Sequence, residues 1–156
     1  MSKVKTGTKA KDFNLNDQDG KEIGLYSLKG KKVLLSFHPL AWTSVCAEQM
    51  KFLEKNLSRF KELNTVALGM SVDTVPSKKA WAKEIGIKDT RLLSDFWPHG
   101  KLADLYGIFR EKEGVSERAN IIIDENGTVV FVKVYLISQL PDIEEIINVL
   151  KDLESK

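Results

Sequence analysis

Val33-Leu34-Leu35-Ser36-Phe37-His38-Pro39-Leu40-Ala41-Trp42-Thr43-Ser44-Val45-Cys46 is the stretch that decides how this chain folds. Residues 33–37 form a continuous apolar run broken only by one serine, the pattern of a central strand buried on both faces. From Ser44 to Leu63 the apolar residues Met50, Leu53, Leu57 and Phe60 fall three or four apart, which reads as one amphipathic helix laid on a sheet. Cys46 therefore falls in the first turn of a helix that follows a core strand.

Working outward, Asp12-Phe13-Asn14-Leu15 and Glu22-Ile23-Gly24-Leu25 alternate around the turn sequence Asp17-Gln18-Asp19-Gly20, as a hairpin does. Downstream, Val66 to Val72 reads as a second buried strand. Ser77 to Ile85 reads as a helix entered after Pro76 and closed by Gly86. Leu92 to Asp95 is a short strand, and Lys101 to Tyr106 a short helix ended by Gly107. The last strands, Asn120–Asp124 and Val129–Val134, are joined by Glu125-Asn126-Gly127, whose Asn-Gly pair predicts a tight hairpin. A terminal helix runs from Pro141 or Asp142 to Leu153. Strands alternating with helices imply an α/β chain with a mostly parallel sheet, made mixed by the late hairpin. Without repeats, low-complexity tracts or linkers, residues 1–156 are expected to form a single domain: a central mixed β-sheet flanked by helices, with an N-terminal β-hairpin. With its cysteine at the strand-to-helix junction, the arrangement resembles a thioredoxin-like fold.

Composition bounds the function. The chain has 156 residues, enough to bury roughly two-thirds of its unfolded surface in one core. Lys and Arg number 24 against 22 Asp and Glu, a formal charge of +2, and the signs are interspersed, so nucleic acid is not suggested. The segment Met1 to Lys11 carries charge but no apolar core of a leader, and no apolar run approaches the ~20 residues that span a bilayer. No membrane association is expected, and the cytoplasm is the default location. A single cysteine excludes an internal disulfide and a CxxC pair. His38 and His99 lack ligand spacing with Cys46, and no nucleotide, flavin or haem motif is present, so neither metal nor cofactor is expected.

A lone cysteine is more often a small buried hydrophobe than a nucleophile, so its neighbours must decide. Backbone N–H groups at a helix start lack intrahelical partners, and with the positive end of the helix dipole they favour thiolate over thiol. Thr43 stands three residues before Cys46, with a hydroxyl to offer to the sulfur or to a substrate oxygen. Pro39 shields the pocket and brings no N–H of its own. Read alone, the same two residues are a helix cap and a loop proline.

Together, Pro39-x-x-x-Thr43-x-x-Cys46 resembles the active-site motif of the peroxiredoxins, thiol peroxidases of the thioredoxin-like superfamily. A distant segment, Gly114-Val115-Ser116-Glu117-Arg118-Ala119-Asn120-Ile121-Ile122-Ile123-Asp124, is similar to the part of those proteins in which an arginine precedes a late strand ending in Ile-Asp. The stretches 70–73, 80–86 and 93–95 match in order and spacing, so the resemblance covers nearly the whole chain. Pro39-Leu40-Ala41-Trp42-Thr43 and the cysteine count look most like the one-cysteine, bacterial AhpE-like branch.

The resemblance implies a thiol-dependent peroxidase. Cys46 attacks a hydroperoxide, and Arg118 steers the peroxide oxygens through fixed donors that a lysine lacks. Gln49 braces the site, Trp42 and Trp81 line it or pack near it, and Cys46 ends as a sulfenic acid. No second cysteine is present to resolve that acid, so an external reductant is implied: a thioredoxin-like or glutaredoxin-like protein, or a low-molecular-weight thiol. A homodimer or higher homo-oligomer is implied too. The alternative from another class is a redox-sensing or holdase-like protein that uses Cys46 oxidation as a switch.

Overall fold

The computed structural model describes residues 2–156. Asn14–Asn16 (β1) and Glu22–Gly24 (β2) pair antiparallel with Leu15 opposite Ile23, the expected N-terminal hairpin. A 3-10 turn at Tyr26–Leu28 leads to Lys32–Phe37 (β3), every residue of which is buried. Ser44–Lys55 (α1) and Leu57–Glu62 (α2) follow, then Thr65–Ser71 (β4), Val75–Ile85 (α3), Arg91–Ser94 (β5) and Lys101–Leu105 (α4). Phe109–Arg110 (β6) and Val115–Ser116 (β7) form a small antiparallel pair, and Arg118–Ile123 (β8), Val129–Tyr135 (β9) and Ile143–Glu154 (α5) complete the chain.

Five strands make the central sheet, in the order β5-β4-β3-β8-β9. The first three are parallel, joined by helical crossovers, and β8 and β9 add antiparallel pairs, which gives the mixed sheet. Because side chains alternate along a strand, β3 sends Val33, Leu35 and Phe37 to one face, where they pack with Leu102, Ala103 and Tyr106 from α4 and its end. Leu34 points to the other face, toward Met50 and Leu53 of α1, Phe60 of α2, Trp81 of α3, and Ile146, Ile147 and Leu150 of α5. Each such side chain removed from water contributes about 1.5–3 kcal/mol. Cys46 belongs to this second layer.

Gly69 on β4 brings α1 close to the sheet. A Cβ there would collide with Met50 Sδ and Leu92 Cδ2, so the missing side chain fixes the depth of the helix one turn from Cys46.

Two local expectations need correction, one hairpin is borne out, and one strand pair is added. The helix predicted over residues 44–63 is broken at Asn56, whose backbone leaves the helical region (φ −110°, ψ 13°) while its Nδ2 donates to the Phe52 carbonyl at 2.7 Å. This is the usual competition of an Asn side chain with the helix backbone. α3 begins at Val75 and takes Pro76 into its first turn, where a missing N–H costs nothing. The β8–β9 hairpin turns through Glu125-Asn126-Gly127 as expected: Asp124 N–H donates to Thr128 O at 2.9 Å and Gly127 N–H to Asp124 O at 3.1 Å, Asp124 Oδ1 accepts from Asn126 N–H and Thr128 N–H at 2.9 Å, and Gly127 is left-handed (φ 83°). The β6–β7 pair is an addition, its two-residue strands being too short for a periodic signal.

Candidate active site

Between the end of β3 and the start of α1 the chain is pinned by polar contacts. His38 N–H donates to Met70 O at 2.9 Å, Ala41 N–H to Asp73 Oδ2 at 2.8 Å, and Trp42 Nε1 to Ser77 Oγ at 3.1 Å. These bonds hold Trp42 in the left-handed region (φ 68°), a conformation that costs a bulky residue about 1–3 kcal/mol. Thr43 then stands at the N-cap with extended backbone, and its carbonyl accepts the first helical bond from Ala47 N–H. The N–H groups of Ser44, Val45 and Cys46 fall in the first helical turn and have no intrahelical acceptor. Cys46 is buried at this electropositive end.

Arg118, the first residue of β8, is only 2% exposed. Its Nη1 donates to Cys46 Sγ at 3.3 Å and to Gln49 Oε1 at 2.7 Å, and its Nε and Nη2 donate to the Ile137 carbonyl at 3.0 and 2.7 Å. Gln49, one helical turn after Cys46, donates in turn to Ser36 Oγ at 2.8 Å and to Phe37 O at 3.2 Å. Three elements thus hold the guanidinium against the sulfur. Among the described residues no carboxylate forms an ion pair with Arg118. A buried cation without an anion is strongly unfavourable, and among the hydrogen-bond partners of Arg118 the Cys46 sulfur is the group that can carry a negative charge.

The other predicted residues fall as follows. Pro39 is buried in the loop and Trp81 is buried in the core, whereas Trp42 is 56% exposed at the rim. The Thr43 hydroxyl donates to the Leu40 carbonyl at 2.8 Å and makes no hydrogen bond to the sulfur. No group of three or more His, Cys, Asp or Glu side chains is arranged to hold a metal ion among the described residues.

Two buried bases beside the site escaped sequence reasoning. The His38 ring lies against Trp81, with centroids 5.4 Å apart. Burial, and then the positive charge of Lys78, hold this imidazole well below its usual range, against the opposing pull of Ser36. Lys78, on α3, is fully buried, and burial brings its amine down to about 7 despite the opposing pull of Asp73, Cys46 and Asp95. A signal for Lys78 was present: Lys78, Trp81, Ala82 and Ile85 stand at i, i+3, i+4 and i+7, so the lysine occupies the apolar stripe of its helix.

Comparison with known proteins is consistent along the chain. Residues 6–132 match the AhpC/TSA family. Alkyl hydroperoxide reductase E of Mycobacterium tuberculosis is 38% identical over 129 residues, covering 82% of this chain and 84% of that protein. The mitochondrial thioredoxin-dependent peroxide reductase of Drosophila melanogaster is 31% identical over 163 residues, covering 97% of this chain and 68% of its own. Among solved structures, the reduced 2-Cys peroxiredoxin of Plasmodium vivax superposes with a TM-score of 0.89 at 31% identity, covering 97% of this chain and 83% of that one.

Proposed function

This chain belongs to the AhpC/TSA family of peroxiredoxins, thiol-dependent hydroperoxide reductases, and from that premise we propose how its own residues carry the reaction. Cys46 is the nucleophile. Its thiolate attacks the terminal oxygen of a hydroperoxide in line, the S–O bond forms, and the O–O bond breaks with its electron pair going to the leaving oxygen. That oxygen takes a proton and departs as water or alcohol, and Cys46 is left as sulfenic acid, open to further oxidation by excess peroxide.

Arg118 and the N–H groups at the start of α1 stabilise the charge that moves between the two oxygens. Gln49 keeps the guanidinium oriented, Pro39 shields the pocket, and the Thr43 hydroxyl turns from the Leu40 carbonyl to a peroxide oxygen when substrate enters. Trp42 forms part of the rim. The observation that carries this reading is the buried Arg118, 3.3 Å from Sγ and free of any carboxylate partner among the described residues.

Regeneration requires an external thiol, because the chain has one cysteine. A thioredoxin-like protein, a glutaredoxin-like protein and a low-molecular-weight thiol all meet the chemistry. Residues 1–156 act as one domain, the assembly is a homodimer or a higher homo-oligomer, and the location is cytoplasmic. No helix among the described residues is long and apolar enough to cross a membrane.

Stopped-flow oxidation of the reduced protein by hydrogen peroxide and by an organic hydroperoxide, with Cys46→Ser as control, tests the proposal. Single-turnover oxidation at Cys46, far faster than that of free cysteine, is the expected result. A rate no faster than free cysteine for both peroxides would overturn it. Adding each class of thiol to the oxidised protein and weighing the mixed disulfide identifies the reductant.

A further inference from the structure

Two groups besides the sulfur hold the Arg118 guanidinium, and they differ in how they are fixed. Gln49 sits on α1 and is placed by that helix. The Ile137 carbonyl takes two of the guanidinium's bonds, from Nε at 3.0 Å and from Nη2 at 2.7 Å, yet it belongs to the segment 136–142 that joins β9 to α5 outside regular structure. Leu136, Ile137 and Leu140 of that segment are exposed, and hydrogen bonds within it tie Leu136 to Gln139. A carbonyl on such a segment holds a cation in place only if the segment is itself held.

Its two ends are joined. Side chains alternate along β9, so Lys133 and Tyr135 share a face, and the register sets Tyr135 level with Arg118 and Lys133 level with Asn120. Tyr135 is the last residue of β9 and is buried. Its hydroxyl donates to Glu145 Oε1 at 3.0 Å and accepts from Asn120 Nδ2 at 3.3 Å. Glu145 lies in the first turn of α5, and its other oxygen accepts from Lys133 Nζ at 2.7 Å. The residue just before the segment is thereby bonded to the first turn of the helix just after it. Asn120 ties the same hydroxyl to β8, two residues beyond Arg118. The Lys133–Glu145 pair is partly exposed and by itself contributes little, but it steadies the carboxylate to which Tyr135 donates. Joining the flanks of a loop removes freedom from everything between them.

We propose that Tyr135 is a positioning residue for peroxide reduction: by bonding Glu145 it closes the segment 136–142, fixes the Ile137 carbonyl, and so keeps Arg118 Nη1 aimed at the Cys46 sulfur. The inference rests on the peroxidase reading for its effect on rate, but not for the placing of the guanidinium. The Tyr135 hydroxyl bonds Glu145 and Asn120 rather than the sulfur, so its influence passes through Ile137 and Arg118. A guanidinium is a rigid planar fork. Once Nε and Nη2 are gripped by one carbonyl, the plane of the group is set and Nη1 is delivered to Sγ at 3.3 Å and to Gln49 Oε1 at 2.7 Å. With that grip loosened, Gln49 is the one side-chain anchor left, and a single bond does not fix the direction of a fork.

A double-mutant cycle tests this. Second-order rates of Cys46 oxidation by hydrogen peroxide are measured by stopped flow for the parent, Tyr135→Phe, Arg118→Met and the double variant. Tyr135→Phe removes one hydroxyl and is expected to slow the parent about tenfold, the scale of a small misplacement in a site. In the Arg118→Met background the same change is expected to cost less than about twofold, because the group it positions is gone. A parent-like rate in Tyr135→Phe would overturn the proposal, and so would an equal loss in both backgrounds, which marks a merely structural tyrosine. The placing itself is read from solvent exchange of the Arg118 Nε–H, followed by nitrogen-15 NMR. Exchange is expected to quicken about tenfold or more in Tyr135→Phe, and an unchanged exchange rate would overturn the proposal. Quickened exchange in a protein whose parent oxidises no faster than free cysteine would uphold the positioning and refute the peroxidase reading instead. Should Tyr135→Phe fail to fold, Glu145→Ala, at a partly exposed position of α5, removes the acceptor of the same bond and takes its place in both measurements, with the same expected and refuting results.

Discussion

Replacing Arg118 by methionine tests the centre of the site, and the structure sets the size of each loss. The guanidinium gives up four bonds: one to Cys46 Sγ, one to Gln49 Oε1 and two to the Ile137 carbonyl. A donor aimed at charge that develops in the transition state, in a pocket closed to water, is worth about 2.7–4 kcal/mol, or about 10²–10³ in rate. One of the guanidinium N–H groups meets the sulfur, at 3.3 Å, and the start of α1 supplies further donors, which places the expected loss toward the lower end, at about a hundredfold. Stability falls separately. The Ile137 carbonyl belongs to a residue that is 39% exposed, so water can replace the lost donors there. Gln49 Oε1 is buried, and leaving it unpaired costs about 1–3 kcal/mol. Arg118→Lys retains the charge but not the fork, and falls between, at about tenfold. The assay is stopped-flow tryptophan fluorescence under excess hydrogen peroxide, since Trp42 and Trp81 flank the site, together with urea unfolding. An Arg118→Met protein that unfolds cooperatively yet reacts within about threefold of the parent would refute the role given to the guanidinium.

Other perturbations separate the remaining parts. Gln49→Leu removes the brace while leaving Arg118 in place, and its single-turnover rate is expected to fall about tenfold, less than for Arg118→Met. Thr43→Val should slow the same step about ten- to a hundredfold while Thr43→Ser stays near the parent, and equal rates for both would show that the hydroxyl takes no part. Gly69→Ala forces a methyl group against Met50 and Leu92, and urea unfolding should show a loss of about 1–3 kcal/mol, the usual cost of overpacking. Glu54 gives a pH test: burial raises its carboxyl, but bonds from the Thr90 hydroxyl and the N–H groups of Thr90, Lys88 and Asp89 outweigh that and leave it below its ordinary value. Its ionised form therefore adds stability above the unfolded carboxylate range and loses it as pH falls through the folded value, so the difference in Tm between the parent and Glu54→Gln should vanish on acidification.

Much of this architecture was legible because hydrophobic periodicity reports burial. The run 33–37, Met50, Leu53 and Phe60 of the helical stripe, and the strands at 66–72 and 120–124 become elements of the two packed layers. What escaped was decided by polar side chains. Asn56 breaks a helix whose apolar spacing continues past it. In the site, motif spacing picked out Cys46 and Arg118, 72 residues apart in sequence and in contact in space. It could not show where the Thr43 hydroxyl points, because a loop hydroxyl chooses among local carbonyls by geometry. Lys78 was overlooked because lysine on a helix ordinarily lies in water, and its place on the apolar stripe outweighs that habit only once α3 is packed beside β4 and β5.

Charge around the sulfur explains why one thiol is enough. Arg118 contributes a permanent cation with no competing carboxylate partner among the described residues, and the first turn of α1 contributes three N–H groups. Asp73 brings a negative charge to the loop that precedes α1, where it accepts from Ala41 N–H and the Ser71 hydroxyl and so holds the loop. Removing Asp73 would therefore have two opposed effects: the thiolate would gain from a stronger positive field, while the Trp42 backbone would lose one of the contacts that keep it left-handed. Asp73→Asn separates them, since its amide oxygen can still accept from Ala41 while the charge is gone. If the field dominates, thiolate absorbance should persist to lower pH in Asp73→Asn than in the parent. If Asp73 matters only as a clamp for the loop, the two titrations should coincide, and the electrostatic account of the pocket would have to rest on Arg118 and the helix start alone.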